Sequence, residues 1–167
     1  DPLLTVRDVE GANPVRVVLD SKLRIAAGSK LVTTAPETPT IILTTAEAPE
    51  ANERQLTAVG CEVIRCARSN EGRVDVQSAF RALAQRGIVT VLVEGGAELT
   101  GSMLAARMAD ELHVFIGPLL LGPRGRPGAV DWAGPDEPTD APKIVDPKWE
   151  LCGRDAYVHG VLAYPSR

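Results

Sequence analysis

The stretch that organises this sequence is IVTVLVEGG, residues 88–96. Residues 88–93 are apolar apart from one threonine, which is typical of a strand buried on both faces of a parallel sheet. The Glu-Gly-Gly turn that follows leads into a helix predicted from about residue 97 to residue 108. In open α/β sheets, ligands bind beyond the carboxyl ends of the strands. We therefore expect the functional site at this turn.

Strands and helices alternate along the rest of the chain. β-Branched and apolar runs predict further strands at residues 15–20, 40–45, 61–66, 111–116, 148–152 and 157–164. Helices are predicted at 51–59, closed by Gly60, and after Asp75, closed by Gly87. The short connection at 153–155 predicts an antiparallel hairpin. The sum is an α/β domain of three layers, with a mixed, mostly parallel sheet and a C-terminal antiparallel hairpin.

Composition restricts the classes of function. The 167 residues suffice for one domain, and the net charge of −4 disfavours nucleic acid as a partner. No apolar run approaches the roughly 20 residues of a membrane-spanning helix. Three cysteines without paired spacing are expected to be reduced packing residues of a cytoplasmic protein. The two histidines lie in apolar, strand-like runs, so we expect no metal site.

The turn at residues 94–96 carries the strongest candidate chemistry. Gly95 and Gly96 permit close backbone approach, and the following helix presents free N–H groups to a phosphate. A simple tight turn is the alternative, because the spacing matches neither the dinucleotide fingerprint nor the P-loop. Glu94 is placed to accept hydrogen bonds from a ligand, or else serves as a capping or surface carboxylate.

Basic residues elsewhere give weaker signals. Residues 20–24, DSKLR, end the first strand and could bind a ribose 2′-phosphate, although the residues alone favour a polar turn. Arg7 either meets a substrate phosphate or is solvated. Arg124 and Arg126 fall in a predicted surface loop, residues 122–142, and are interpreted as surface charges. No Ser/His/Asp or Cys/His arrangement indicates nucleophilic hydrolysis.

Taken in order, several segments resemble the reductase domain of the bifunctional riboflavin-biosynthesis pyrimidine deaminase/reductases. Each segment is moderately specific, and the ordered set is highly specific. The matching segments are DPLLTVR (1–7), VVLDS (17–21) with Leu23-Arg24, VLVEGGA (91–97) followed by Leu99, the run from Asp110 to Ile116, and PLLLG (118–122).

The resemblance implies a dihydrofolate-reductase-like fold and NADPH as the hydride donor. It implies reduction of the ribosyl group of 5-amino-6-(5-phosphoribosylamino)uracil to the ribityl product. It also implies a homodimer, with a small-molecule substrate and no metal. The implied substrate contacts are Leu4, Arg7 and Glu94, and no residue is assigned as a proton donor. The implied NADPH contacts are Ser21, Gly96, Ala97, Glu98, Leu99, Thr100, Gly101 and Ser102.

The sequence departs from the family in two respects. The His-x-Glu and Cys-x-x-Cys signature of the zinc deaminase domain is absent, so we expect no deamination. The first strand and helix of the reductase domain, which precede Asp1-Pro2 in the family, are also absent. We therefore expect residues 1–167 to be a reductase domain lacking those two elements.

Other functions remain open on the sequence. A related dihydrofolate-reductase-like enzyme could act on another pterin or pyrimidine. A non-catalytic nucleotide-binding module would use only the Gly95-Gly96 turn, and an interaction domain would bind no small ligand.

Overall fold

A computed structural model describes residues 1–120 and 128–165 of the chain. They form two compact units, Asp1–Thr90 and Val91–Arg167, and each unit is described by itself. The end of the 118–122 segment and the first part of the predicted 122–142 loop, with Arg124 and Arg126, lie outside the described residues.

The first unit contains a parallel sheet. Its strands are β1 (Arg16–Leu19), β2 (Thr40–Thr45) and β3 (Glu62–Cys66), in the order β1-β2-β3. Both neighbours pair with β2 in parallel, and all six residues of β2 are buried. This burial explains the near-continuous apolar and threonine character of residues 40–45. The three predicted strands are confirmed.

Three helices accompany this sheet: α1 (Lys30–Thr33), α2 (Glu50–Ala58) and α3 (Val76–Ala84). The predicted helices α2 and α3 are confirmed, whereas the one-turn α1 was not predicted. Gly60 and Gly87 adopt positive φ angles of 104° and 76° just beyond α2 and α3, as the sequence indicated. The buried core of the unit comprises Leu23, Val32, Ala35, Ile42, Ala48, Leu56 and Cys61.

The second unit contains α4 (Ala97–Ala105) and an antiparallel sheet of β4 (Glu111–Ile116), β5 (Lys143–Cys152) and β6 (Asp155–Ala163). The strand order is β4-β6-β5, which confirms the C-terminal hairpin. β5 starts earlier than the predicted residue 148, because a bulge between Val145 and Lys148 lets the strand continue past Pro147. A 3₁₀ turn at Pro138–Asp140 interrupts the predicted loop.

One central prediction is wrong: residues 88–93 are not a strand. Val89 and Leu92 are 90% and 76% exposed. A strand exists only where its N–H and C=O groups find a neighbouring strand, and an apolar pattern does not supply that neighbour. The described residues consequently form two three-stranded sheets in place of the expected single mixed sheet. The α/β class itself is confirmed.

The N-terminus of α3 provides a test of local stability. The Asp75 carboxylate accepts a hydrogen bond of 2.8 Å from the backbone N–H of Ser78. We expect Asp75→Ala to lower the free energy of unfolding by about 1 kcal/mol, because a helix donor loses its cap. Denaturant unfolding measures this loss, and Asp75→Ser serves as the control that keeps a capping oxygen. Equal losses in both variants would contradict a capping role.

Candidate functional site

The N-terminus of α4 is open to a ligand. Gly96 is its N-cap residue and makes no side-chain capping bond to the first turn. In the described part of the chain, the first N–H groups of the helix have no side-chain acceptor, and they carry the positive end of the helix dipole. A Cβ atom added to Gly96 would meet nothing within 4 Å, so a side chain at this position would enter open space. Such a helix start can hold a phosphate.

Close packing within the unit explains why the other two positions of this segment, 95 and 101, are glycines. A Cβ atom on Gly101 would lie 1.9 Å from the carbonyl oxygen of Asp131, and one on Gly95 would lie 2.6 Å from Leu99 Cδ2. The backbone of residue 131 is also tied to α4, since its N–H donates to the carbonyl of Ala97 at 2.9 Å. Gly101 is thus required by close packing within the unit, independently of any ligand.

The hydroxyls of α4 are turned back along the helix. Thr100 Oγ1 donates to the carbonyl of Gly96 at 3.3 Å, and Ser102 Oγ donates to the carbonyl of Glu98 at 2.9 Å. Both hydroxyls keep lone pairs but have committed their protons. Towards a phosphate, the useful donors of this segment are therefore the backbone N–H groups of the first turn.

Glu94 stands exposed immediately before this turn. Its two carboxyl oxygens can accept two or more hydrogen bonds. An exposed carboxylate beside a phosphate-binding helix start cannot itself bind the phosphate. It is suited to the N–H or hydroxyl groups of a second, uncharged part of a ligand.

Ser21 lies at the carboxyl end of β1, where the sequence placed it. Its hydroxyl oxygen accepts from the N–H of Val74 at 3.0 Å, and its carbonyl accepts from Thr45 Oγ1 at 2.9 Å. These contacts fix Ser21 against the end of β2 and against the segment that precedes α3. The hydroxyl proton is not used in either contact and is available to a ligand.

The neighbouring Asp20 organises the turn. Its carboxylate accepts from the N–H groups of Lys22 at 3.3 Å and Ile25 at 2.7 Å. Asp20 is therefore a structural turn residue. The side chains of Lys22 and Arg24 are exposed, and the described part of the chain shows no carboxylate bound to either. Both remain available to an anion at the end of β1.

Leu4 and Arg7 lie in an N-terminal segment of the first unit that has no regular secondary structure. Leu4 is half-buried with a φ of 50°, a left-handed conformation that costs a non-glycine residue about 1 kcal/mol or more. Arg7 is exposed. The segment is fastened at both ends: the Asp1 carboxylate accepts from the N–H of Lys30 at 2.9 Å, and the N–H of Val6 donates to Asn13 Oδ1 at 3.0 Å.

The candidate residues thus fall into two groups. Residues 94–102 are contiguous in the second unit, while Leu4, Arg7 and Ser21 belong to the first. Sequence reasoning missed Asn13 and also Arg16, whose side chain is buried beneath the N-terminal segment. The signal for Arg16 was present, since an arginine inside the apolar run 15–19 is unusual for a buried strand.

None of the three cysteines belongs to these two groups of candidate residues. Cys61 and Cys66 are buried, and burial raises the pKa of both, so they are neutral packing residues at pH 7. Cys152 is exposed at the end of β5, and the prediction that it packs in a core was wrong. Within residues 1–120 and 128–165, no helix is long and apolar enough to cross a membrane.

Two glycines of the α4 segment give a paired prediction. Gly101→Ala should lower the free energy of unfolding by about 1–3 kcal/mol, because its Cβ collides with the carbonyl of Asp131. Gly96→Ala should cost less than about 1 kcal/mol, since its Cβ enters open space and only N-cap preference is lost. Thermal and denaturant unfolding of both variants measure the difference, and an equal cost would contradict the described packing.

Comparison with known proteins identifies the family. The RibD C-terminal domain family matches residues 1–160. The chain is 32% identical over 165 residues to riboflavin biosynthesis protein RibD of Actinobacillus pleuropneumoniae, covering 99% of this chain and 43% of that protein. It is 34% identical over 161 residues to the 2,5-diamino-6-ribosylamino-4(3H)-pyrimidinone 5′-phosphate reductase of Methanothermobacter thermautotrophicus, covering 95% and 72%.

Solved structures agree with this assignment. The deaminase/reductase of Thermotoga maritima aligns with a TM-score of 0.72 and 26% identity, over 97% of this chain and 41% of that chain. The chain thus spans less than half of the Actinobacillus and Thermotoga proteins and about seven tenths of the Methanothermobacter reductase. The ordered segments at 1–7, 17–24, 91–99 and 110–116 all fall within the matched region, and the chain belongs to the RibD C-terminal domain family.

Proposed function

We propose that this chain is an NADPH-dependent reductase domain that converts the ribosyl group of 5-amino-6-(5-phosphoribosylamino)uracil to a ribityl group in cytoplasmic riboflavin biosynthesis. The family match over residues 1–160 carries the proposal. The open N-terminus of α4 supports it, because an uncapped helix start with free space before Gly96 suits a nucleotide phosphate.

The residues present fit the cofactor. Within residues 96–102, the first-turn backbone N–H groups would hold the pyrophosphate, and Ser21 with Lys22 and Arg24 would bind the 2′-phosphate. NADPH supplies the hydride when bound; the protein's own contribution is to position and to screen charge. Glu94 would accept hydrogen bonds from the pyrimidine N–H or sugar hydroxyl groups. Arg7 would bind the substrate phosphate, and Leu4 would pack against the substrate.

A second substrate deserves direct comparison. The Methanothermobacter relative is named for a 2,5-diamino-pyrimidinone phosphate, which keeps the amino group that a deaminase would remove. Both phosphates should therefore be offered to the protein, and the ratio of their kcat/KM values would decide the order of reduction and deamination.

We also propose that an upstream strand and helix complete the fold to the three-layer, dihydrofolate-reductase-like arrangement. β1 lies at an edge of its sheet, and the apolar run 88–93 is exposed without a ladder. An open edge and an unpaired apolar run both favour the addition of a strand.

A homodimer is part of the same proposal. It is supported by three apolar residues that project from one face of the β4-β6-β5 sheet. These residues, Phe115, Val145 and Val161, are 64%, 46% and 55% exposed.

Cofactor preference gives the first functional prediction. NADPH should bind at least about tenfold more tightly than NADH, a difference of roughly 1.4 kcal/mol. Lys22→Ala and Arg24→Ala should reduce that preference, because each removes a cation from the end of β1. Arg54→Ala, which removes an exposed cation of α2, is the matched control. Nicotinamide fluorescence titration measures all dissociation constants.

If neither nucleotide binds in this titration, either the upstream strand and helix are required or the proposed function is wrong. One further experiment distinguishes these two explanations. The titration is repeated on the protein with the family's upstream strand and helix restored. Binding that appears only then would support the proposed completion of the sheet. No binding of either nucleotide to the restored protein would refute the proposed function.

Glu94 gives the second functional prediction. Glu94→Gln should lower kcat/KM for the phosphoribosyl-aminopyrimidine by about 10–100-fold, since hydrogen bonds to a charged acceptor contribute about 1.5–3 kcal/mol. The NADPH dissociation constant should stay unchanged. Glu137→Gln, an exposed carboxylate of the same unit, is the control. Tight NADPH binding without turnover in the wild-type protein would instead favour the non-catalytic nucleotide-binding module.

A further inference from the structure

Arg16 is a buried charge without a counter-ion. It lies in β1 with 1% of its surface exposed. Its two terminal nitrogens donate to neutral acceptors only, and the described part of the chain places no carboxylate in an ion pair with it. The acceptors are the carbonyls of Leu3 (3.3 Å), Leu31 (3.2 Å) and Thr38 (2.8 Å) and the hydroxyls of Thr34 (2.7 Å) and Thr40 (2.6 Å).

Stability alone is a poor reason for this arrangement. Burying a guanidinium without a carboxylate is costly, and an apolar side chain of similar volume usually packs at lower cost. Desolvation lowers the pKa of Arg16, and its Nε atom has no hydrogen-bond partner among the described residues. The advantage of the guanidinium is geometric, because one rigid planar group can form hydrogen bonds with several separate segments at once.

The segment that gains most from this geometry is the N-terminal one. Nη1 of Arg16 holds the carbonyl of Leu3, directly before the left-handed Leu4. A strained residue persists only where its surroundings fix it, and such residues cluster at functional sites. Together with the contacts of Asp1 and Val6, the Arg16 bond anchors the chain on both sides of Leu4.

We propose that Arg16 is a positioning residue for the substrate. Its hydrogen bond to the Leu3 carbonyl fixes Leu4 in its left-handed conformation. The segment held in this way presents Leu4 and Arg7 to the phosphorylated substrate. This inference rests on the proposed function. Arg16 itself does not touch the substrate, since its side chain is buried. Its effect is exerted entirely through the backbone of residues 3–7.

The test compares Arg16→Lys with a matched control. Lysine keeps the charge but cannot reach the N-terminal segment and α1 together. Arg65→Lys is the control, because Arg65 also binds backbone carbonyls, those of Thr45, Ala46 and Ala48, and makes no contact with residues 1–7. KM for the aminopyrimidine phosphate, Kd for NADPH and hydrogen exchange of residues 1–7 are measured in the folded fraction of each.

For Arg16→Lys we expect KM to rise at least about tenfold, an unchanged Kd for NADPH, and faster hydrogen exchange in residues 1–7. Arg65→Lys should leave KM and that exchange unchanged. A merely structural Arg16 would reduce the folded fraction and lower apparent kcat, with KM as in the wild type. That result, or unchanged exchange of residues 1–7, would overturn the proposal.

A second variant covers the case in which Arg16→Lys does not fold. Replacing Leu4 by its α-hydroxy analogue converts the preceding amide into an ester and weakens the Leu3 carbonyl as an acceptor, while Arg16 and all side chains stay in place. The same rise in KM is expected, and an unchanged KM would refute the role of the Leu3 contact. Absence of turnover in the protein with the upstream strand and helix restored would refute the proposed function and the substrate role together, whereas hydrogen exchange would still report the anchoring.

Discussion

The requirement that every buried backbone N–H and C=O group find a partner governs this structure. β2 meets it on both sides, because β1 and β3 pair with it in parallel and its residues are fully buried. α2, α3 and the turns at the carboxyl ends of the strands are arranged around that central strand. Residues 88–93 are at least as apolar, yet they pair with no strand in the described part of the chain, and Val89 and Leu92 remain exposed.

The same requirement creates the candidate site. A helix leaves its first N–H groups without intrahelical acceptors, and at α4 no side chain satisfies them. Gly96 leaves the approach open, while Gly101 and Gly95 let α4 pack tightly against Asp131 and let Leu99 fold back over the turn. At the end of β1, the Asp20 carboxylate accepts hydrogen bonds from the backbone N–H groups of the turn, and the side chains of Lys22 and Arg24 remain exposed. Both features suit a phosphorylated ligand.

Arg16 is a buried polar residue whose hydrogen bonds position residues of the N-terminal segment. Its hydrogen bonds join α1, the turn before β2, β2 itself and the N-terminal segment. These hydrogen bonds offset part of the energetic cost of burying the charge, and one of them holds the Leu3 carbonyl. A strained Leu4 above a buried guanidinium is the kind of feature that packing for stability alone does not produce.

The sequence by itself determined most local structure. The strands at 16–19, 40–45, 62–66 and 111–116, the Asp75 cap, the glycine stops after α2 and α3 and the final hairpin all follow from periodicity, capping and turn chemistry, which depend on neighbouring residues only. The ordered motifs also identified the family and the open turn at Gly96. Only the tertiary structure decided which apolar run is paired, because pairing depends on a strand distant in sequence. It alone showed that Gly101 is a packing residue and that Arg16 reaches Leu3, since both contacts join segments that no local pattern relates.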